Sequence, residues 1–175
     1  MTEVQFYRPA TLDQNKHRRD EFNSGEASLD DWLRRYAGQN RRANTAAVWV
    51  IPDADNRVAC YATLSMTAVD RSACPTPLAK GAPAQVPALL IGRLATDRRV
   101  AGIGLGTQMV AHALATAVEI NVKAACRAVV VTALTPAASA WWQRFGFTPF
   151  DPRDPANLDL YLLTNNIAAT LTQLS

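Results

Sequence analysis

Along this chain, apolar runs typical of β-strands alternate with apolar stripes typical of α-helices. The apolar run at 46–51 predicts a buried strand, and the apolar-rich segment 86–95 predicts a central one. The run at 128–134 predicts a strand in the middle of the sheet. A stripe of apolar residues at helical spacing over 103–119 predicts a helix, with Ile103 and Val118 on its buried face. Strands separated by such helices predict a mixed α/β sheet.

Capping signals predict two further helices. Ser28 precedes two acidic residues and the apolar face of Trp32, Leu33 and Tyr36, which predicts a helix opening at the serine. Pro136 favours a first helical position, and that helix is expected to end at Gly146.

The remaining segments predict short elements around the same sheet. We expect a strand at 4–7, a turn at 52–56 with its return strand at 57–69, strands at 147–150 and 158–163, and a closing helix at 165–174. Three prolines and a glycine in 71–86 predict one long flexible loop. Since 175 residues suit one core, we expect a single domain over 1–175.

Composition excludes several classes of protein. Apolar residues make up 49% of the chain and charged residues 19%, which argues against intrinsic disorder. The longest apolar runs are too short to cross a membrane, and residues 1–6 lack the pattern of a secretory signal. Three cysteines at unrelated spacings predict reduced thiols of a cytoplasmic protein and no metal site.

The net charge of +3 carries a strong bias toward arginine. Only three of the 18 basic residues are lysines. Arginine binds phosphates and carboxylates through two parallel hydrogen bonds, so the bias favours an anionic ligand. A GC-rich genome would produce the same bias without any ligand.

Three glycines at alternate positions follow the strand at 86–97. Gly102, Gly104 and Gly106 open the next helix, where free backbone N–H groups and the helix dipole attract anions. No Gly-Lys-Ser/Thr closes the segment, so it is not a Walker loop, and its spacing does not fit a dinucleotide fingerprint. A glycine-rich tight turn without ligand is the alternative.

This segment resembles a known pyrophosphate-binding loop. Arg99-x-x-Gly102-x-Gly104 after a strand is similar to the R/Q-x-x-G-x-G/A motif of GCN5-related N-acetyltransferases (GNAT). The segments 22–33 (FNSGEASLDDWL), 90–97 (LIGRLATD) and 140–147 (AWWQRFGF) resemble motifs of the TacT-type acetyltransferase toxins. The resemblance extends over about residues 20–165.

The resemblance implies a GNAT fold, with a splayed, mostly antiparallel central sheet flanked by helices. Acetyl-CoA would lie between the strands at 86–97 and 128–134. Backbone groups of three strand residues would bind its pantetheine, namely Leu94, Ala95 and Thr96. Backbone amides of the loop would bind its pyrophosphate, namely Arg99, Val100, Ala101, Gly102, Ile103, Gly104, Leu105 and Gly106.

The same resemblance implies a substrate and partners. In these toxins the acceptor is the α-amino group of an aminoacyl-tRNA, whose acetylation stops translation. A ribbon-helix-helix antitoxin neutralises such toxins, and homodimers are common. Six arginines are our candidates for binding substrate or RNA: Arg34, Arg35, Arg41, Arg42, Arg93 and Arg98. For each helical pair a solvated surface is the alternative, and for Arg93 an ion pair within the sheet.

Trp142 departs from the pattern of these toxins. The resemblance places a tyrosine there as the general acid for the CoA thiolate, and an indole N–H is not a useful acid. Catalysis without that acid, replacement by Tyr61 or His112, and loss of activity are the three interpretations. We favour a slowed but real transferase. Neither His112 nor Cys126 has a sequence context that predicts catalysis, and Trp32, Trp49 and Trp141 are expected in the core.

Two other functions compete with the toxin. One is an N-acetyltransferase of a small amine or a protein N-terminus, against which the arginine bias argues. The other is a catalytically impaired acyl-CoA-binding protein, as Trp142 suggests.

Overall fold

A computed structural model describes residues 4–175, over which seven strands and six α-helices form. The strands are β1 (Ala10–Thr11), β2 (Ala47–Pro52), β3 (Val58–Asp70), β4 (Gln85–Thr96), β5 (Ala128–Thr132), β6 (Thr148–Pro149) and β7 (Asp159–Leu163). The helices are α1 (Ala27–Arg35), α2 (Ala37–Arg42), α3 (Thr76–Ala79), α4 (Leu105–Lys123), α5 (Pro136–Gln143) and α6 (Ile167–Leu174).

The chain forms two compact units, each from two stretches of sequence. Unit 1 comprises the chain up to Ser65 together with Gly92–His112, and unit 2 comprises Met66–Ile91 and Ala113–Ser175. Both β3 and β4 contribute one part of their length to each unit. The single domain expected over 1–175 stays a prediction.

Unit 1 is an antiparallel sheet with a core on each face. β2 pairs with β1 and β3, and the final part of β4 follows β3 in the strand order. Alternate residues of β2 serve different cores, as strand geometry requires. Val48 and Val50 pack with Trp32 and Leu33 of α1, whereas Ile51 packs with residues of α4.

Unit 2 contains the parallel strand pair. β4 pairs with β5 in parallel from Ala88–Ala128 to Ile91–Val131, and β7 lies antiparallel between β5 and β6. β5 is almost wholly buried, so its prediction as a strand in the middle of the sheet is confirmed. Residues Leu94–Thr96 come after the last residue of β4 that pairs with β5.

The structure corrects four of the expected elements. Residues 4–7 form no strand, because Phe6 makes only an isolated bridge to Asp53 and the first strand is β1. α1 begins at Ala27 after Glu26 rather than at Ser28, and Tyr36, expected on its buried face, is exposed where the helix breaks.

The other two corrections concern 71–86 and the start of α4. The segment 71–86 is no flexible loop: it contains a 3₁₀ turn and α3, whose Leu78 is fully buried. α4 begins at Leu105, since glycines with positive φ precede it, and Ile103 and Val118 are exposed.

No helix within residues 4–175 is long and apolar enough to cross a membrane. Residues 1–3, part of the segment considered for a secretory signal, lie outside the described residues.

Candidate functional site

The glycine loop joins β4 to the N-terminus of α4 in unit 1. Gly102 and Gly104 have φ of +81° and +96°, a region that side chains strongly disfavour. A Cβ built on either residue meets no atom within 4 Å, so the space beside the backbone is open. The first N–H groups of the 19-residue α4 have no partner within the helix. This loop therefore fits a pyrophosphate, with backbone donors and the positive end of a helix dipole.

A buried carboxylate organises the turn that leads into this loop. Asp97, 2% exposed, accepts hydrogen bonds from the Arg99 backbone N–H at 2.9 Å and from Arg99 Nε and Nη2 at 3.0 Å each. Burial by itself would raise the pKa of the Asp97 carboxyl, but these bonds and one from the Asn23 N–H outweigh it and lower that pKa. The carboxylate stays ionised and fixes the course of the chain before the loop.

The segment at 22–33 docks against the same turn. The backbone N–H of Arg98 donates to the Asn23 carbonyl at 2.8 Å. Gly25 has φ of +90°, and a Cβ there would lie 2.8 Å from Nη2 of Arg98, so the guanidinium lies directly against the glycine. The segments 22–33 and 90–97, which lie far apart in the sequence, thus meet in unit 1.

Apart from Arg93, the candidate arginines, together with Arg99 of the glycine loop, divide into engaged and free groups. Arg34 donates to the Phe22 carbonyl at 2.7 Å and pairs with Asp31 at 3.1 Å, while Arg99 is held by Asp97. Four others have exposed side chains whose guanidinium groups make no hydrogen bond or ion pair within residues 4–175: Arg35, Arg41, Arg42 and Arg98. The engaged pair stabilises the fold, and the binding of an anion by the second group stays a prediction.

Arg93 is half-buried on β4 and has no carboxylate partner. Its guanidinium carbon lies 4.4 Å from the ring centroid of Trp32 on α1. Among the residues that the structure describes, none of the ion pairs includes Arg93, so the ion-pair alternative has no support. The contact with Trp32 is a cation–π interaction.

The three candidate pantetheine residues lie at the end of β4. Ala95 packs in the core of α1 and Leu94 in the core of α4, while the Thr96 hydroxyl lies 3.5 Å from the Cys60 sulfur. Their side chains therefore pack on the two faces of the sheet, so a ligand would bind through their backbone groups. Their binding role stays a prediction.

Trp142 lies on α5 in unit 2. Thr135 caps this helix by accepting from the Ala138 N–H at 3.1 Å, and Pro136 follows, as expected. The Trp142 side chain is 6% exposed and makes edge-to-face contacts with Trp141 and Phe147, with centroids 5.0 and 5.2 Å apart. This packing alone can account for a tryptophan at position 142, and the chemical role of Trp142 stays a prediction.

Tyr61 and His112, the two alternatives considered for the missing acid, both contact other groups. The Tyr61 hydroxyl donates to the Leu29 carbonyl at 2.6 Å, and burial raises its pKa well above the usual value. His112 lies against Trp49, with ring centroids 4.1 Å apart. Burial also raises the pKa of the Cys126 thiol, which leaves it a poor nucleophile.

Two organising residues were missed from the sequence. The sequence motif contains Asp97 but does not indicate its role, although an aspartate commonly forms a turn by accepting from the backbone N–H two residues on. Trp32 was assigned to the core, and nothing in the sequence indicated its contact with Arg93.

The chain matches the model of the acetyltransferase (GNAT) family over residues 12–147. It is 34% identical over 141 residues to a tRNA-acetylating toxin of Mycobacterium tuberculosis, a match that covers 81% of this chain and 84% of that one. It also resembles a solved structure of AtaT complexed with acetyl-methionyl-tRNAfMet, with a TM-score of 0.84 and 23% identity, covering 94% of this chain and 98% of AtaT.

A further solved structure, of a tyrosine-to-phenylalanine mutant of the AtaT toxin, holds acetyl-CoA and the C-terminus of the antitoxin AtaR. Its TM-score is 0.81 at 23% identity, over 97% of this chain and 99% of that one.

Proposed function

Because the chain belongs to the acetyltransferase (GNAT) family, we propose that it acetylates the α-amino group of aminoacyl-tRNA and thereby inhibits translation. The observation that carries the transferase part is the open glycine loop at the start of α4. The choice of acceptor follows the tRNA-acetylating relative, which matches over four-fifths of the chain.

The donor site is built from backbone rather than from side chains. Amides of the loop from Arg99 to Gly106 would hold the pyrophosphate of acetyl-CoA, and backbone groups of Leu94–Thr96 its pantetheine. Acetyl-CoA supplies an acetyl group activated as a thioester. The open space beside Gly102 and Gly104 admits the diphosphate to the backbone, and any side chain there would obstruct it.

The acceptor amine needs no strong general base from the protein. An α-amino group has a pKa of about 8, so a useful fraction is neutral near pH 7 and able to attack a thioester. The protein has to place this amine and stabilise the charge that develops on the carbonyl oxygen. Trp142, at the position where the resemblance puts a tyrosine, offers packing and one weak donor but no transferable proton.

We propose further that an antitoxin neutralises this protein, by analogy with the AtaT structure that holds the AtaR C-terminus. We also propose that it acts in the cytoplasm, where its proposed substrate is found. The resemblance to TacT-type toxins supports a ribbon-helix-helix antitoxin and a homodimer.

Two alternatives make different demands on the site. A small cationic amine would favour an acidic acceptor pocket, and the free arginines of α1 and α2 argue against that class. A protein that only binds acyl-CoA is favoured by Trp142, and it would show donor binding without transfer.

The deciding experiment is cell-free translation with the purified protein and acetyl-CoA, followed by mass analysis of the charged tRNAs. We expect translation to stop only when acetyl-CoA is present, and a fraction of the aminoacyl groups to gain an acetyl mass. Donor binding without any acetylated acceptor would refute the transferase. Acetylation confined to small amines or peptides would favour the first alternative.

Reversing the charge of Arg41 and Arg42 should weaken RNA binding through electrostatics. Each arginine that contacts a phosphate releases a counterion, so the double change to glutamate should reduce the slope of log affinity against log salt by about one to two. Filter binding of tRNA at several salt concentrations measures this slope.

A matched control reverses two exposed cations elsewhere, Lys123 and Arg153, with the same change in net charge. It should leave the slope near that of the unsubstituted protein. Equal effects of the two double variants would mean that α2 is not part of the RNA surface.

A further inference from the structure

Arg93 is held by an aromatic stack in unit 1. Its guanidinium lies over Trp32, and the Trp32 ring stacks on Tyr61 with centroids 6.1 Å apart and planes 6° from parallel. Phe22 meets Tyr61 edge-on at 5.5 Å. Apart from Arg93, all these side chains are buried, so the stack is part of the packed core of α1.

The stack is also anchored by hydrogen bonds. The Tyr61 hydroxyl donates to the Leu29 carbonyl of α1 at 2.6 Å. Asp30 accepts from the Ser24 hydroxyl at 2.6 Å and from its backbone N–H at 2.9 Å, which fixes the start of the same helix. Arg93 is therefore positioned before any ligand arrives, which reduces the entropy cost of binding.

The hydrogen-bond donors of Arg93 remain available. Within residues 4–175 its guanidinium donates no hydrogen bond and makes no ion pair, in contrast to Arg34 and Arg99. A half-buried cation in an apolar strand is costly unless an anion meets it. The aromatic stack holds the planar guanidinium of Arg93 on one side and leaves its N–H groups available to such an anion.

Position along the strand relates this cation to the proposed donor site. Arg93 immediately precedes Leu94–Thr96, the proposed pantetheine residues. Because side chains alternate along a strand, Arg93 shares the face of Ala95, which packs in the α1 core. A ligand on Arg93 would thus lie beside the reacting end of the donor, on the side of α1.

We propose that Arg93 is a positioning residue that binds a phosphodiester at the acceptor end of the RNA, next to the aminoacylated nucleotide, an inference that rests on the proposed function. The guanidinium fork matches phosphate oxygens in geometry and charge. A phosphate gripped there would hold the aminoacyl amine near the thioester and raise the effective concentration of the amine. Phosphates of CoA are the other source of the same chemistry, and the experiment separates the two.

The test compares acceptors with and without a phosphodiester. The variants Arg93→Gln and Arg93→Lys, and the exposed control Arg153→Gln, are assayed with aminoacyl-tRNA, with an aminoacylated trinucleotide and with aminoacyl-adenosine. Thermal melting first checks that each variant is folded.

For Arg93→Gln we expect KM to rise about tenfold to a hundredfold for the tRNA and the trinucleotide, the range for losing a charge-assisted hydrogen bond. KM for aminoacyl-adenosine and for acetyl-CoA should not change, and the control should behave like the unsubstituted protein. Arg93→Lys keeps the charge without the planar fork, so its KM for the tRNA should lie between those of the unsubstituted protein and Arg93→Gln.

Other outcomes overturn the proposal. An equal rise in KM for aminoacyl-adenosine would show that Arg93 acts only through the fold, and a rise confined to acetyl-CoA would assign it to the donor. Unchanged KM for all acceptors would refute this inference alone. If the unsubstituted protein acetylates none of the three acceptors, the proposed function fails and this inference fails with it.

Discussion

Replacing Gly104 by aspartate should reduce acetyl-CoA affinity by about a hundredfold or more while the protein stays folded. The added carboxylate would project into the open space that we assign to the pyrophosphate. Two like charges about 4 Å apart repel by about 4 kcal/mol at the effective dielectric of a protein surface. The positive φ of +96° at this position adds a backbone strain of about 1–2 kcal/mol, which lowers the free energy of unfolding rather than the affinity. Isothermal titration with acetyl-CoA measures the loss.

Two matched variants separate charge from strain. Gly104→Asn has the same shape without the charge, so its affinity should fall much less. Gly81→Asp places the same side chain at a φ of +75°, also with no atom within 4 Å, outside the glycine loop. It should bind acetyl-CoA normally. Undiminished affinity in Gly104→Asp would refute the assignment of the loop.

The buried strands were predictable because their signal is local. β2, β4 and β5 each contain a run rich in apolar residues, interrupted in β4 by Gly92 and Arg93, and the observed bounds differ from the expected ones by one or two residues at most ends. α4 was also predicted, but its start was not. An apolar stripe cannot reveal that Gly102 and Gly104 adopt positive φ and delay the helix to Leu105.

The failures at 4–7 and 71–86 have a tertiary cause. The apolar residues of 4–7 fit a strand, yet this segment makes only an isolated bridge from Phe6 to Asp53 and two backbone hydrogen bonds, of Gln5 and Tyr7. Proline and glycine in 71–86 predicted a loop, but the burial of Leu78 and the hydrogen bond of 2.8 Å from Arg127 Nε to its carbonyl hold this segment in place. Contacts between residues some fifty positions apart cannot be read from local composition.

In the candidate site, too, features with a local signal were predictable from the sequence and features that depend on tertiary contacts were not. The glycine loop was found from spacing alone, whereas the sorting of the arginines required the fold. Arg34, Arg35 and Arg99 look alike in sequence, but two of them are held by carboxylates or a carbonyl and one is free. Likewise, the hydrogen bonds from Arg99 to Asp97 are local, whereas the bond from the Asn23 N–H requires the fold. Spacing reveals backbone sites, and side-chain partners depend on tertiary structure.

Restoring a phenolic hydroxyl with Trp142→Tyr should raise kcat, by up to about a hundredfold, the low end for general acid catalysis. The resemblance places a tyrosine at this position, and the indole that replaces it cannot donate a proton to a thiolate. Acetyl-CoA affinity should change little, because a ring remains. Single-turnover acetylation of aminoacyl-tRNA measures the chemical step, and cells without antitoxin should tolerate the variant less well than the parent.

The packing of Trp142 decides which control is needed. Its ring is 6% exposed and contacts Trp141, Phe145 and Phe147, so any smaller ring leaves a cavity and lowers the free energy of unfolding. Trp142→Phe creates nearly the same cavity without the hydroxyl. A kcat of Trp142→Tyr well above that of Trp142→Phe would therefore be due to proton transfer, since the two variants share the loss of packing.

Equal rates in all three proteins would mean that protonation of the thiolate does not limit turnover and that Trp142 contributes packing alone. Full toxicity of the parent would rule out an impaired enzyme.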